Sequence, residues 1–358
     1  MRGSTHSLLR FRRSLAALAC ALGVLVLGAG PTLACGGLIG PNGAVNLLRT
    51  TTLAAYHDGQ EHYVTAFQFA GGGGQFGSLV PLPGVPTSVE RGGDWTLQRL
   101  VRETSSIQEL ALPAAADAAR AGAEELMKVR IDALDITVLR GGSNDVGEWA
   151  TDHGFRLPPD APEVLDFYAS RSPIFLAAVF DGDAARERGQ AVGDGTPVHI
   201  TIPTDNPWVP LHILALGKTG TEQVQADVYL MTDHAPRMLP FPSADNGLLL
   251  QHYAPATESL LTDLRSDKGM EWVPDSAWLT KVAIDAAAAD LTFDLAIDAS
   301  GTGQPSAIRA GLPITPTSTG ADLGTFAGWI ALVLTVTLSL LLMALIVSRR
   351  TFTQPNAA

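Results

Sequence analysis

The chain has 358 residues, with 24 Lys+Arg against 36 Asp+Glu and a formal net charge of −12; that acidity argues against nucleic acid or an anionic lipid surface as a partner. Two cysteines, Cys20 and Cys35, are too few for a disulfide scaffold, so stability must come from a hydrophobic core, and the length allows one large domain or two.

The N-terminus reads as an export signal. Arg2, Arg10, Arg12 and Arg13 precede the apolar stretch Leu15–Ala29, and Thr32-Leu33-Ala34 offers small residues where a signal peptidase reads. Residues 1–34 are therefore expected to be a signal peptide. Cleavage after Ala34 makes Cys35 the mature N-terminus, open to lipid attachment, intermolecular pairing or a spare thiol. Thr32 stands where a lipoprotein signal carries an aliphatic residue.

Leu47 to Phe69 reads as a hairpin, because Asp58-Gly59 suits a type I′ turn. Gly72, Gly74 and Gly77 match the dinucleotide spacing GxGxxG. Pro81, Pro83 and Pro86 then forbid the helix that would hold a phosphate, so an extended segment is expected instead. Asp94 is expected to cap a helix bearing Leu97, Leu100, Val101 and Ile107. A second helix is expected after Pro113 to about Arg130, where Asp117, Arg120, Glu124 and Lys128 share a face. Ile131 to Arg140 reads as a strand and Ser143 to Gly154 as a helix. Asp160-Ala161-Pro162-Glu163 opens another helix with Val164, Leu165 and Tyr168 inward. Ile174 to Phe180 is a buried strand.

Val198, Ile200 and Ile202 alternate with His199 and Thr201; Val209, Leu211 and Ile213 alternate with Pro210 and His212. A tight turn at Asp205-Asn206 pairs the apolar residues and sets His199 opposite His212. Gln223 to Met231 is a further strand, Thr257 to Lys268 and Ser276 to Ile284 read as helices, and Leu291 to Asp298 as a last strand. Residues 299–325, rich in Gly, Pro, Ser and Thr, read as a flexible stalk. Phe326 to Val347 carries no charge; as a helix it is roughly 33 Å long, enough for a bilayer core of about 30 Å. Arg349 and Arg350 supply the positive flank of a cytoplasmic side, with residues 348–358 as a short tail.

The expected fold class is α+β, mainly antiparallel sheet with packed helices, plus one C-terminal transmembrane helix. Residues 35–298 form the exported ectodomain, as one unit or two subdomains. His199 and His212 make the one metal-like pair, where zinc takes three or four ligands; His234 is a third only if its strand lies alongside. The alternative is two half-exposed histidines on a sheet face. HExxH, GxSxG, P-loop and CxxC motifs are absent. No catalytic or cofactor-binding residue is assigned and no cofactor is expected. Trp208 is the candidate surface aromatic.

Four stretches carry a resemblance. They are Ala34-Cys35-Gly36-Gly37; Gly77 to Pro83; Val146 to Pro158 with Val164 to Tyr168 and Phe175 to Ala178; and Pro197 to Asp205 with Val209 to Leu211. Together they resemble the bacterial envelope family called domain of unknown function 2330, over most of the ectodomain. The resemblance implies export and membrane attachment, and it brings no catalytic assignment. Members often carry further cysteines near the first, which this chain lacks. The expectation is a single-pass protein of the cell membrane, ectodomain outside and C-terminus inside. Its ectodomain is expected to be non-enzymatic and to bind an envelope protein or component. The alternatives are a solute- or cation-binding module, favoured by the acidic surface and the paired histidines, and an envelope hydrolase whose site the sequence does not show.

Overall fold

The computed structural model describes residues 32–33, 37–40, 43–44, 49–68, 75–104, 125–187, 189 and 195–313, and five single positions at 334, 335, 337, 339 and 343. Those up to Pro313 belong to one unit; the chain from Ile314 onward is a second.

The first unit opens with three short strands, β1 (Thr32–Leu33), β2 (Gly37–Gly40) and β3 (Gly43–Ala44). The expected hairpin follows as β4 (Arg49–His57) and β5 (Gln60–Gln68), turned at Asp58 and Gly59 with φ of 49° and 75°. Both central residues are left-handed, as a type I′ turn requires. Next come β6 (Gln75–Pro81), β7 (Ser88–Arg91) and helix α1 (Thr96–Thr104). Asp94 does not cap α1. The carboxylate of Asp267 does, accepting from the backbone N–H of Asp94 at 3.1 Å and of Trp95 at 3.0 Å, and from Thr96 Oγ1 at 2.9 Å.

The hairpin β8 (Glu125–Ile131) and β9 (Leu134–Arg140) replaces the end of the helix expected up to Arg130. Residues 105–124 lie outside the described ones. The charge spacing misled there: the Lys128–Glu125 pair, 2.7 Å apart, forms along a strand. Helices α2 (Ser143–Asp152) and α3 (Ala161–Ala169) lead to β10 (Ile174–Asp181), helix α4 (Gly182–Glu187) and β11 (Gly195–Pro203). The rest is β12 (Trp208–Val209), β13 (Gln223–Thr232), β14 (Arg237–Leu239), β15 (Leu248–Pro255), helix α5 (Glu258–Ser266), β16 (Trp278–Ala287) and β17 (Leu295–Asp298).

An eight-stranded sheet runs β15-β16-β13-β4-β5-β11-β7, with β1 also on β4; its β13–β4 and β1–β4 pairs are parallel. A six-stranded sheet runs β3-β2-β6-β10-β9-β8, and a three-stranded one β12-β17-β14. Alternate residues of the large sheet serve two cores, as the period of two dictates. Ala54, Tyr63, Val228 and Leu230 join a cluster shared with the six-stranded sheet, α2 and α3. Leu53, Ala55, Val64, Tyr229 and Met231 face the other way, onto Leu97 and Leu100 of α1 and Leu260, Leu261 and Leu264 of α5.

Several expectations change. β16 takes the place of the helix expected at Ser276 to Ile284: it is flanked by β13 and β15, and burial on both faces hides the period of two. The hairpin expected across Val198 to Ile213 does not form. β11 pairs with β5 and β7, while Trp208 and Val209 pair with β17. Alternation fixes which side chains share a face; it does not name the partner strand. Residues 299–313, expected to begin the stalk, lie against the body: Asp294 N donates to Ala310 O at 2.9 Å, and Ala310 is fully buried.

The fold class needs one correction, its transmembrane helix. No helix among the described residues is long and apolar enough to cross a membrane, a statement that does not bear on spanning by strands. Of the run 326–347, only Leu334, Thr335, Thr337, Ser339 and Met343 are described, all helical. Thr337 and Ser339 turn their hydroxyls back onto the carbonyls of Leu334 and Thr335, at 3.0 and 2.7 Å. Freedom from charge sets a possible length, whereas a span needs an unbroken apolar helix of about 20 residues. What the structure supports is a sheet-rich α+β protein with largely antiparallel sheets and five α-helices among the described residues.

Candidate functional site

The two histidines expected to face each other sit apart. His199 lies on β11, beside His62 of β5, with His62 Nδ1 and His199 Nε2 2.9 Å apart. Trp272 stacks on His62 with ring centroids 4.0 Å apart and 5° between planes. Burial lowers the pKa of His62 to about 4, with His57 adding to it, and of His199 to about 3, with His62 adding to it. Both rings are therefore neutral at pH 7, one donating to the other. Of the two nitrogens that face each other, one carries the shared proton and the other spends its lone pair on it, so neither is open to a metal while the bond lasts. No group of three or more His, Cys, Asp or Glu among the described residues could hold a metal ion. His234 follows β13, its backbone carbonyl accepting from Thr232 Oγ1 at 2.7 Å. Cys35 lies outside the described residues.

His212 belongs to a different centre. Its Nδ1 donates to the Leu291 carbonyl, and its ring meets Phe167 edge-on at 4.6 Å. Beside it, Asp294 is fully buried. One carboxylate oxygen accepts from Tyr168 Oη at 2.8 Å and from the backbone N–H of Leu211 and His212 at 2.8 and 3.1 Å. The other accepts from Arg171 Nη2 at 2.8 Å. The Arg171 guanidinium lies 3.9 Å from the Phe167 ring centroid and bonds the Arg309 carbonyl. Burial pushes the Asp294 carboxyl up against the pull of Arg171, and burial together with Asp294 holds the Tyr168 hydroxyl well above its usual range. Every acceptor here is used, so the network fastens α3, the segment 211–213 and the segment 294–310 together. It is a structural joint.

Trp208, expected at the surface, is fully buried near that joint. Glu61 of β5 also lies near it, completely buried, with neither carboxylate oxygen hydrogen-bonded. Burial raises its pKa to about 8, the Trp208 backbone N–H working weakly the other way. Across the strand pair is Tyr56, whose phenol is raised by burial and then by Asp205, Glu61 and Asp233. Tyr56 lines a polar cleft of about 140 Å³ with Asp205, Asp298, Ser300, Gln304 and Arg309.

The most exposed apolar feature of the sheets is β15. Among the described residues it ends the large sheet, paired with β16 alone. Its residues Leu248-Leu249-Leu250-Gln251-His252-Tyr253-Ala254-Pro255 include no Asp, Glu, Lys or Arg. Leu249, Leu250 and Tyr253 are 38%, 39% and 42% exposed, and Phe241 nearby in the chain is 68% exposed. One register shift falls between Leu250 and His252. Edge strands are usually blunted by lysine, proline or a bulge; here the shift and the terminal Pro255 are all that blunt it. No element was expected over residues 232–256. The available signal was an uncharged run bounded by Gly247 and the helix cap Thr257.

Fold and surface thus define a sheet-rich α+β domain with, among the described residues, an uncharged strand at the edge of its large sheet and a well-fastened interior. The chain belongs to the bacterial family described as an uncharacterized protein conserved in bacteria (DUF2330), which residues 30–248 match. No curated protein matches it. Among solved structures it is similar to baculovirus P35, at 9% identity over 70% of this chain and 96% of that one, with a TM-score of 0.38. A mutated baculovirus P35 after caspase cleavage gives 9% identity over 71% and 98%, with a TM-score of 0.37. At such scores the likeness carries no argument about function.

Proposed function

We propose that this protein is a non-enzymatic interaction domain of the bacterial cell envelope, working outside the cytoplasm and binding a partner polypeptide along β15. The observation that carries this reading is the edge itself: a strand that ends the sheet among the described residues, with no charge and apolar side chains exposed on both sides. Such an edge is a template for an incoming strand, whose main chain supplies affinity and whose alternate side chains supply specificity. The basic and apolar leader of residues 1–34 supports the location. The test is a photo-crosslinking residue placed at Leu249 in cells. A discrete crosslinked polypeptide is expected, lost when Leu250→Lys is added while the purified variant keeps its urea midpoint. A crosslink indifferent to Leu250→Lys, or none at all, rejects the reading.

A second reading, a small-solute or cation-binding module, is favoured by one feature, the polar cleft holding Asp205 and Asp298. Calorimetric titration with amino acids, amines and divalent cations tests it; heat abolished by Asp205→Asn supports it.

A further inference from the structure

The interaction reading says where a partner docks, and the charges around β15 say what kind. Building on that reading, we infer that the partner segment is an extended strand with an uncharged apolar centre and Lys or Arg at both ends. The centre follows from β15, which offers Leu249, Leu250 and Tyr253 and no charge for eight residues. The ends follow from what borders it. At the start of the strand stand two exposed carboxylates, Asp245 in the turn Ala244–Asn246 and Asp285, whose backbone N–H donates to Gly247 O at 2.9 Å. At its end stands exposed Glu258, in the first turn of α5.

Among the described residues no salt bridge neutralises these acids, and two cations of the same sheet and helices are engaged elsewhere. Lys281 lies 3.5 Å from Asp227, and Arg99 holds Glu103 and Asp263 at 2.7 and 2.8 Å. A neutral stretch framed by negative ends is complementary to a neutral stretch framed by positive ends, in either strand direction. The same framing argues against a second copy of this chain as the occupant. An antiparallel pairing of two β15 strands would set the acidic start of one against the acidic end of the other, and like charges facing across strands destabilise. The chain's net charge of −12 adds repulsion at longer range.

The test uses the purified full chain and three synthetic peptides sharing a Val-Thr-Val-Thr-Val centre. The first has two lysines at each end, the second two glutamates, and the third is the lysine peptide N-methylated at every backbone nitrogen of the centre, so that neither edge can donate. Fluorescence anisotropy at low salt is expected to show the lysine peptide binding about tenfold tighter than the glutamate peptide, with the gap closing at high salt. The N-methylated peptide is expected to lose binding, since it cannot complete a ladder. Leu250→Asp separates strand addition from simple charge attraction. It adds a negative charge but is expected to weaken the lysine peptide; tightening would overturn the proposal. Equal binding of the lysine and glutamate peptides would overturn the charge rule while leaving docking at the edge intact. Failure of every peptide, with or without a β15-dependent dimer in sedimentation, would overturn the proposal; the Leu249 crosslink would then say whether the edge is used at all.

Discussion

Asp294 and Glu61 are two buried acids near the same tryptophan, and they solve burial in opposite ways. Asp294 accepts four hydrogen bonds, one from a guanidinium 2.8 Å away. Glu61 accepts none of good geometry, the Trp208 N–H pulling on it only weakly, and has a pKa raised to about 8. Burying a charge costs several kcal/mol unless partners replace water. Asp294 has those partners and locks three segments of chain; Glu61 lacks them and stays protonated near neutrality. The contrast separates a group that holds the fold from one that the fold tolerates.

The sharpest way to break the comparison is to remove Asp294. Asp294→Ala leaves Arg171 almost fully buried without its carboxylate, and leaves the Leu211 and His212 N–H groups unpaired. A loss of about 3–5 kcal/mol is expected, read as a lower urea midpoint at pH 7.

Glu61→Gln should act in the other direction. The folded pKa near 8 lies above the carboxyl's ordinary value of 4.5. The wild type is therefore favoured below pH 4.5 and loses stability as pH rises through 8. At pH 7 the penalty is roughly 3 kcal/mol. Since glutamine mimics the protonated acid, the variant should gain stability at pH 8 and little at pH 4.5. Urea midpoints across that range check it; an equal gain at both ends would mean that the Glu61 carboxyl titrates alike in the folded and unfolded chain.

The histidine pair extends the comparison to the other face of the same sheet, where the titration runs toward acid. His62 and His199 have folded pKa values near 4 and 3, against 6.5 unfolded. Their contribution is intact above pH 6.5 and is lost as pH falls toward 3. His199→Leu should remove about 2 kcal/mol of that acid sensitivity at pH 5. Thermal melts at pH 7 and 5 test it: the wild type should drop further than the variant.

What was legible in the sequence follows the same division between local and non-local causes. Asp58-Gly59 fixed a turn because positive φ is a local demand, and Thr257 caps α5 through a bond three residues away. The strand at Ile174 to Phe180 stood out because burial on both faces makes an unbroken apolar run. Asp267, capping α1 from far along the chain, left no local trace. Nor did the neighbourhood of His199: its alternation with Ile200 was correct, yet β5 rather than the segment after Pro207 supplies the partner. His212 looked like half of a site because it alternated with Val209 and Leu211, but Pro203, Pro207 and Pro210 divert that segment into a short bridge and a 3₁₀ turn. The edge at β15 escaped notice because an uncharged octapeptide reads as core until its missing neighbour is known.

The parallel pairing of β4 with β13 has a consequence for the order of assembly. Arg49 meets Gln225, and Tyr56 meets Thr232, so the β4–β5 hairpin keeps one open flank until the chain beyond residue 223 arrives. Closure at such long range raises the entropic barrier and slows folding. A polypeptide threaded N-terminus first through a narrow channel would emerge as a hairpin with nothing to complete it, and would stay pliable until most of the body was across. Commitment to the final structure is thus deferred to the last third of the first unit, where β13 and then β16 close the sheet.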